Sequence, residues 1–135
     1  MHPIFHPTTT MQRDSRPANA FYTVIAVLVM VAMFLCASGS GNPDTAQPLP
    51  DWVNTSINVL NVLVGLLVMV PRTRAFAAIA AALNMVGSMV TNYTVDGYAY
   101  FLKALPFDAV SLVLAAMLVW HYRADLARRA SVGLP

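Results

Sequence analysis

Glutamate is missing from the chain, and its six acidic residues are all aspartate. Lysine occurs once, as Lys103, against seven arginines. Charged residues make up 10% of the sequence, where soluble domains carry about 25%. That shortage excludes a soluble globular enzyme, a disordered chain and a charge-laced coiled coil. A single cysteine, Cys36, excludes an internal disulfide and any CxxC redox pair. What is present is apolar. Hydrophobic residues reach 58% and the mean hydropathy is +0.61. At 135 residues the chain has room for one domain. Its pI near 9.0 does not point to nucleic acid, because the bases sit at the ends of apolar runs.

Those runs define the architecture. No charge falls between Arg16 and Asp44, and the apolar core there extends from Phe21 to Ala37. Trp52 to Pro71 and Ala75 to Val95 are equally free of charge. About 20 mainly apolar residues cross a bilayer as a helix. The fourth run, Ala109 to Tyr122, would rise only about 21 Å. Begun at Pro106 it reaches about 25 Å and takes Asp108 into the helix. Backbone polar groups in lipid must be satisfied internally, so the runs read as helices, and they are too long and too uniform for barrel strands. The sequence therefore predicts an all-α, integral membrane four-helix bundle. Its membrane domain covers 17–129, with spans at about 20–38, 52–70, 75–94 and 106–122. Residues 1–16 read as a mobile tail and 130–135 as a second short tail.

Arginine sets the expected orientation. Arg13, Arg16, Arg72, Arg74, Arg123, Arg128 and Arg129 fall on one side of the spans, while the other side has Asp44, Asp51, Asp96 and Lys103. The positive-inside rule places both termini in the cytoplasm, and the localisation expected is a bacterial inner membrane. The first run is expected to remain a span and not to be cleaved as a signal peptide. Its basic leader is long, and Leu35 before Cys36 does not suit a lipoprotein site. Pro71-Arg72-Thr73-Arg74 reads as a tight hairpin, Ser38 to Pro50 as an irregular outer loop, and Tyr98 to Leu105 as a short interfacial helix.

Polar residues inside the spans carry the functional question. A helix turns 100° per residue, so i, i+4, i+7 and i+11 share a face. Asn54, Asn58, Asn61 and Gly65 share one in the second span. In the third, Ala77, Ala81, Asn84, Ser88 and Thr91 share a broad face with Asn92 at its edge, and in the fourth Asp108, Ser111 and Ala115 line up. Faces of small and polar residues point at protein and not at lipid. The amides, hydroxyls and acid lie at mid-span or in the outer half, so the expected site is an outward-open polar cleft of Asn58, Asn61, Asn84, Ser88, Asn92, Asp108 and Ser111.

Two uses compete for this set. The residues either hold helices together, Asn61 against Asn84, or receive a polar headgroup or small polar substrate. Asp108 either caps the fourth helix behind Pro106 and pairs with Lys103, or handles a proton or ligand. His121 reads as a headgroup contact at the inner interface, Cys36 as packing, and His2 with His6 as a metal pair only if the tail folds back. No metal site or catalytic residue is expected. Asn54-Thr55-Ser56 and Asn92-Tyr93-Thr94 match the glycosylation triplet but lie too near the membrane to be acceptors.

The segment from Val62 to Tyr93, LVGLLVMVPRTRAFAAIAAALNMVGSMVTNY from Leu63 onward, resembles the middle of DoxX-like membrane proteins. In that family a second span runs through a glycine into a short Pro/Arg turn and then an Ala-rich third span. Pro106 ahead of an apolar, Trp-ended fourth span is similar as well. The resemblance covers about half the chain and implies four helices with a link to quinone-dependent redox and to membrane oxidoreductase complexes. Many members carry a lysine after the first span and an acid in the second. Here the corresponding residues are Ser38-Gly39-Ser40-Gly41 and the amides Asn58 and Asn61.

Three functions follow as expectations. The first is a non-catalytic subunit or scaffold of a larger membrane complex, with lipids and other membrane subunits, or further copies of itself, as partners. The second is a DoxX-like redox-associated protein binding a quinone or lipid headgroup in the cleft. The third is a small dimeric transporter, against which the uncharged first span counts. Nucleic acid is not an expected partner. Serine hydrolysis is unsupported, because no histidine lies at the depth of Ser88 or Ser111.

Overall fold

A computed structural model describes residues 11–38 and 49–132, with side chains from residue 19 onward. Four helices follow one another: α1 Met11–Ser38, α2 Asp51–Met69, α3 Arg74–Thr94 and α4 Tyr98–Val132. All four are long and apolar enough to cross a membrane. They form an antiparallel bundle in which each helix lies beside the next and α4 returns to α1. One diagonal is short, with α1 touching α3; on the other, the α2 and α4 backbones never come within 8 Å.

Each helix buries a narrow stripe. On α2 it is Asn61, Val64, Gly65 and Val68; on α4 it is Asp108, Ser111, Ala115 and Leu118. Both follow the three- and four-residue steps of one helix face. Much of the core is small, with Ala26, Ala77, Ala78, Ala81 and Ala115 beside Ile25, Val29, Met33, Val64, Val68, Met85 and Leu118. Small residues let backbones close up, and the closest approach is at Gly65. A Cβ there would lie 2.9 Å from Phe34 Cε1 and 3.3 Å from Met33 Cβ. Bulky apolar side chains point outward instead, among them Leu28, Val31, Leu63, Leu66, Leu83, Val86, Val110 and Val113. In water such a belt is an aggregation liability. Against acyl chains it is the expected surface, and small residues inside are the usual means of packing.

The α2–α3 hairpin closes a helix end with the chain's own donors. The last carbonyls of a helix have no partner within it. Here Leu67 O accepts from Val70 N and from Thr73 Oγ1, at 3.2 and 2.8 Å. Arg74, 7% exposed, donates Nε to Val68 O at 3.0 Å and Nη2 to Met69 O at 3.2 Å. Its Nη1 donates to Tyr122 Oη at 3.1 Å, so one guanidinium ties the end of α2 to α4. At the other end Val95 N and Asp96 N both bond Thr91 O, and Gly97 at φ 92° turns the chain into α4. A side chain at that φ would be strained.

Two elements differ from the sequence reading. Residues 98–105 are not a separate interfacial helix but the first turns of α4, which continues through Pro106. Proline has no N–H, so only the Leu102 carbonyl loses its partner. Leu102 is exposed, which keeps that carbonyl near the end of the bundle and out of the core. At 35 residues α4 rises about 52 Å, well beyond a bilayer core of ~30 Å. The second difference is at the N-terminus, where α1 begins at Met11 and residues 11–16 of the expected tail are helical. Residues 1–10, with His2 and His6, lie outside the described residues, as does most of the α1–α2 loop.

Replacing Arg74 by leucine removes three charge-assisted hydrogen bonds and strands two helix-terminal carbonyls. A loss of about 3 kcal/mol is expected, seen as a clear drop in melting temperature in detergent, with Arg74→Lys intermediate. A melting point within experimental error of the parent would show that water or detergent serves those carbonyls equally well.

Candidate functional site

Three of the seven expected residues meet through their side chains. Ser88 and Asn92 stand one turn apart on α3 and face Asp108 on α4. Asn92 Nδ2 donates to Asp108 Oδ2 at 2.9 Å. Ser88 Oγ lies 3.4 and 3.5 Å from the two carboxyl oxygens. Those distances are long for a hydroxyl donor, so Asn92 is the main anchor. Asp108 is 3% exposed, and Ser111, one turn further along α4, is buried beside it.

This arrangement replaces the expected capping role. Asp108 stands ten residues after Tyr98, inside a continuous helix, with no free amide turn to cap. Lys103 is exposed, and among the described residues no ion pair reaches Asp108. The acid is served by neutral donors on the neighbouring helix. Asn92 thereby has its amide nitrogen engaged, and Asn54 donates its amide to Leu49 O, at 3.3 Å.

Asn61 behaves differently. It is 2% exposed on α2, and its Oδ1 accepts no hydrogen bond. No bond joins it to Asn84, which is half-buried on α3. The contact of Gly65 with Met33 and Phe34 fixes its level. One turn along each antiparallel helix brings Asn61 level with Ala37 and Ser38. Asn61 and Asp108 lie on the two helices whose backbones stay apart. Asn58, half-buried, shares the α2 side. The structure gathers Ser88, Asn92 and Asp108 into one cluster, with Ser111 adjoining, and keeps Asn58 and Asn61 on α2.

The turn end holds a second constellation. Tyr22 stacks on His121, ring centroids 3.5 Å apart, and His121 meets Tyr122 edge-on at 4.8 Å. Tyr122 in turn receives Arg74. Sequence reasoning treats Arg74 as a topology signal and His121 as a headgroup contact. Nothing in the spacing of Tyr22, Arg74 and His121 announces that three helices converge there. About ten residues of α4 separate Ser111 from His121, some 15 Å along the axis. No histidine among the described residues therefore faces Ser88 or Ser111, and no group of three His, Cys, Asp or Glu could hold a metal among them.

No protein-family model, no curated protein and no solved structure matches this chain.

The two polar places are expected to respond oppositely to loss of their amide. Asn92→Leu leaves the Asp108 carboxyl with only the distant Ser88 hydroxyl and should cost about 2 kcal/mol. Asn61→Leu removes an oxygen that bonds nothing and should be neutral or stabilising. Melting temperatures of the two purified variants test this. Equal destabilisation would mean that Asn61 has a partner in the folded protein.

Proposed function

We propose that the chain is a four-span integral membrane protein with both termini in the cytoplasm, serving as a non-catalytic subunit or scaffold of a larger complex in a bacterial inner membrane. The observation that carries this reading is the use made of the polar side chains. Asn92 and Ser88 serve Asp108, and Arg74 serves the end of α2 and Tyr122. Side chains committed to holding helices have no capacity left for turnover. The apolar belt supplies faces for lipid or for other spans.

A second reading has one observation in its favour. The unserved Oδ1 of Asn61 is a buried acceptor, and leaving such a group bare costs about 1–3 kcal/mol. A hydroxyl or quinol group donating to it would remove that cost. This fits the DoxX-like role of a protein that takes a quinone or lipid headgroup between its helices.

Both readings are tested by gentle extraction followed by mass spectrometry of the intact particle. Stoichiometric additional subunits support the first; a retained quinone lost in Asn61→Leu supports the second; a bare monomer with neither counts against both. Orientation is tested separately, in a Cys36→Ser background. Cysteines placed at Asp96 should react with an impermeant reagent added to intact cells, and those at Thr73 or Ala130 should not. Labelling at Thr73 from outside would reverse the topology.

A further inference from the structure

We propose that the turn end of the bundle carries a binding site for anionic phospholipid headgroups, built on Arg72 and Arg129 and extended by Arg123 with Trp120. The inference rests on the membrane reading above. Among the residues whose side chains are described, this end has five arginines and one acid. Asp125 is committed to Arg128, at 3.7 Å, and Arg74 is buried in its own bonds. Arg72, Arg123 and Arg129 remain exposed, with no acidic partner among the described residues.

Their placement is not accidental to the fold. Arg129 follows Tyr122 by seven residues, two turns, and so stays on the face of α4 that meets α3. There its Nη1 donates to the Arg72 carbonyl. That bond anchors the end of α4 against the hairpin and sets the Arg129 guanidinium against the backbone of a second exposed arginine. Arg129 keeps its remaining N–H donors, and the Arg72 side chain makes no hydrogen bond among the described residues. A phosphodiester between them would be met by planar forks suited to its oxygens.

The level of the patch selects the occupant. Its Arg123 arm lies just past the apolar belt, where Trp120 is 67% exposed and the guanidinium covers the ring at 3.8 Å. An indole at that boundary belongs at headgroup depth, and an arginine stacked on it is held at the height of the phosphates. The far end of the bundle has Asp51, Asp96 and Lys103 and no arginine, so the charge favours one leaflet. A soluble acidic protein would not account for an exposed indole at this height; a lipid accounts for both features.

The test uses the full chain in nanodiscs of phosphatidylcholine alone and with phosphatidylglycerol, read by native mass spectrometry of retained lipid and by melting temperature. Phosphatidylglycerol should be retained preferentially and should raise the melting point. Each arginine removed should weaken that retention about fivefold. Arg72→Gln is the cleaner variant, since the side chain makes no bond within the described residues; Arg129→Gln also loses its tie to the turn, and Arg72→Lys should keep most of the effect. Equal retention of both lipids by the parent, or no change in Arg72→Gln, would overturn the site. So would stabilisation by free inorganic phosphate without any from phosphatidylglycerol. Failure of the chain to enter nanodiscs of either composition would instead overturn the membrane reading itself.

Discussion

A backbone carbonyl shielded from water has nothing to bond but the chain itself, and much of this structure meets that constraint. Helices satisfy it along their length. The ends are where it becomes demanding, and the α2–α3 hairpin meets it with side chains. Thr73 and Arg74 between them serve Leu67, Val68 and Met69. Because Arg74 also reaches Tyr122, the closure of one helix end fixes how α3 packs on α4. The contact between these two helices is the most extensive in the bundle, and it is pinned at both ends: by Arg74 with Tyr122 near the turn, and by Asn92 with Asp108 two-thirds of the way along.

The same constraint explains the treatment of Asp108. An acid buried among helices needs donors wherever they can be found. A lysine five residues earlier on the same helix cannot supply them, because its position places it on another face and its charge prefers the rim. An amide one helix away can. The carboxyl thus acts as an acceptor that specifies which face of α3 meets which face of α4. Misrotating either helix would leave it unserved, and a small-residue interface otherwise offers little to prevent such a rotation.

Much of the fold is legible in the sequence because bilayer-length apolar runs and their charged borders are physical requirements, each visible in one dimension. The tight hairpin at Pro71 to Arg74 is legible for the same reason. Harder to see are features that depend on angle and not on length. The α4 helix runs through Pro106 and frees one carbonyl, on a residue that is itself exposed, which no periodicity reveals. Asn61 and Asn84 sit at matching depths, yet depth does not decide whether two side chains face each other. The short α1–α3 diagonal separates α2 from α4, so a set of amides that looks like one cleft on paper is divided. The Asn92–Asp108 pair lies within reach of sequence reasoning only as two residues on candidate inner faces. Its partner choice is a matter of helix rotation.

Arginine is where the one-dimensional and three-dimensional readings diverge most. By the positive-inside rule the seven are equivalent tokens of sidedness. In the fold those that are described take three different roles. Arg74 is structural and inaccessible, Arg128 is paired along its own helix with Asp125, and Arg72, Arg123 and Arg129 stay uncompensated at the surface. Only the last group has electrostatic potential to spend on a partner. A buried guanidinium bonded to two carbonyls and a phenol contributes little field outside, whereas Arg123 and Arg129 each give one N–H to a carbonyl and stay exposed where an anion can meet them. Counting charges therefore overstates the surface available at this end, and sorting them by what each already bonds identifies the part of the molecule that still needs something from its surroundings.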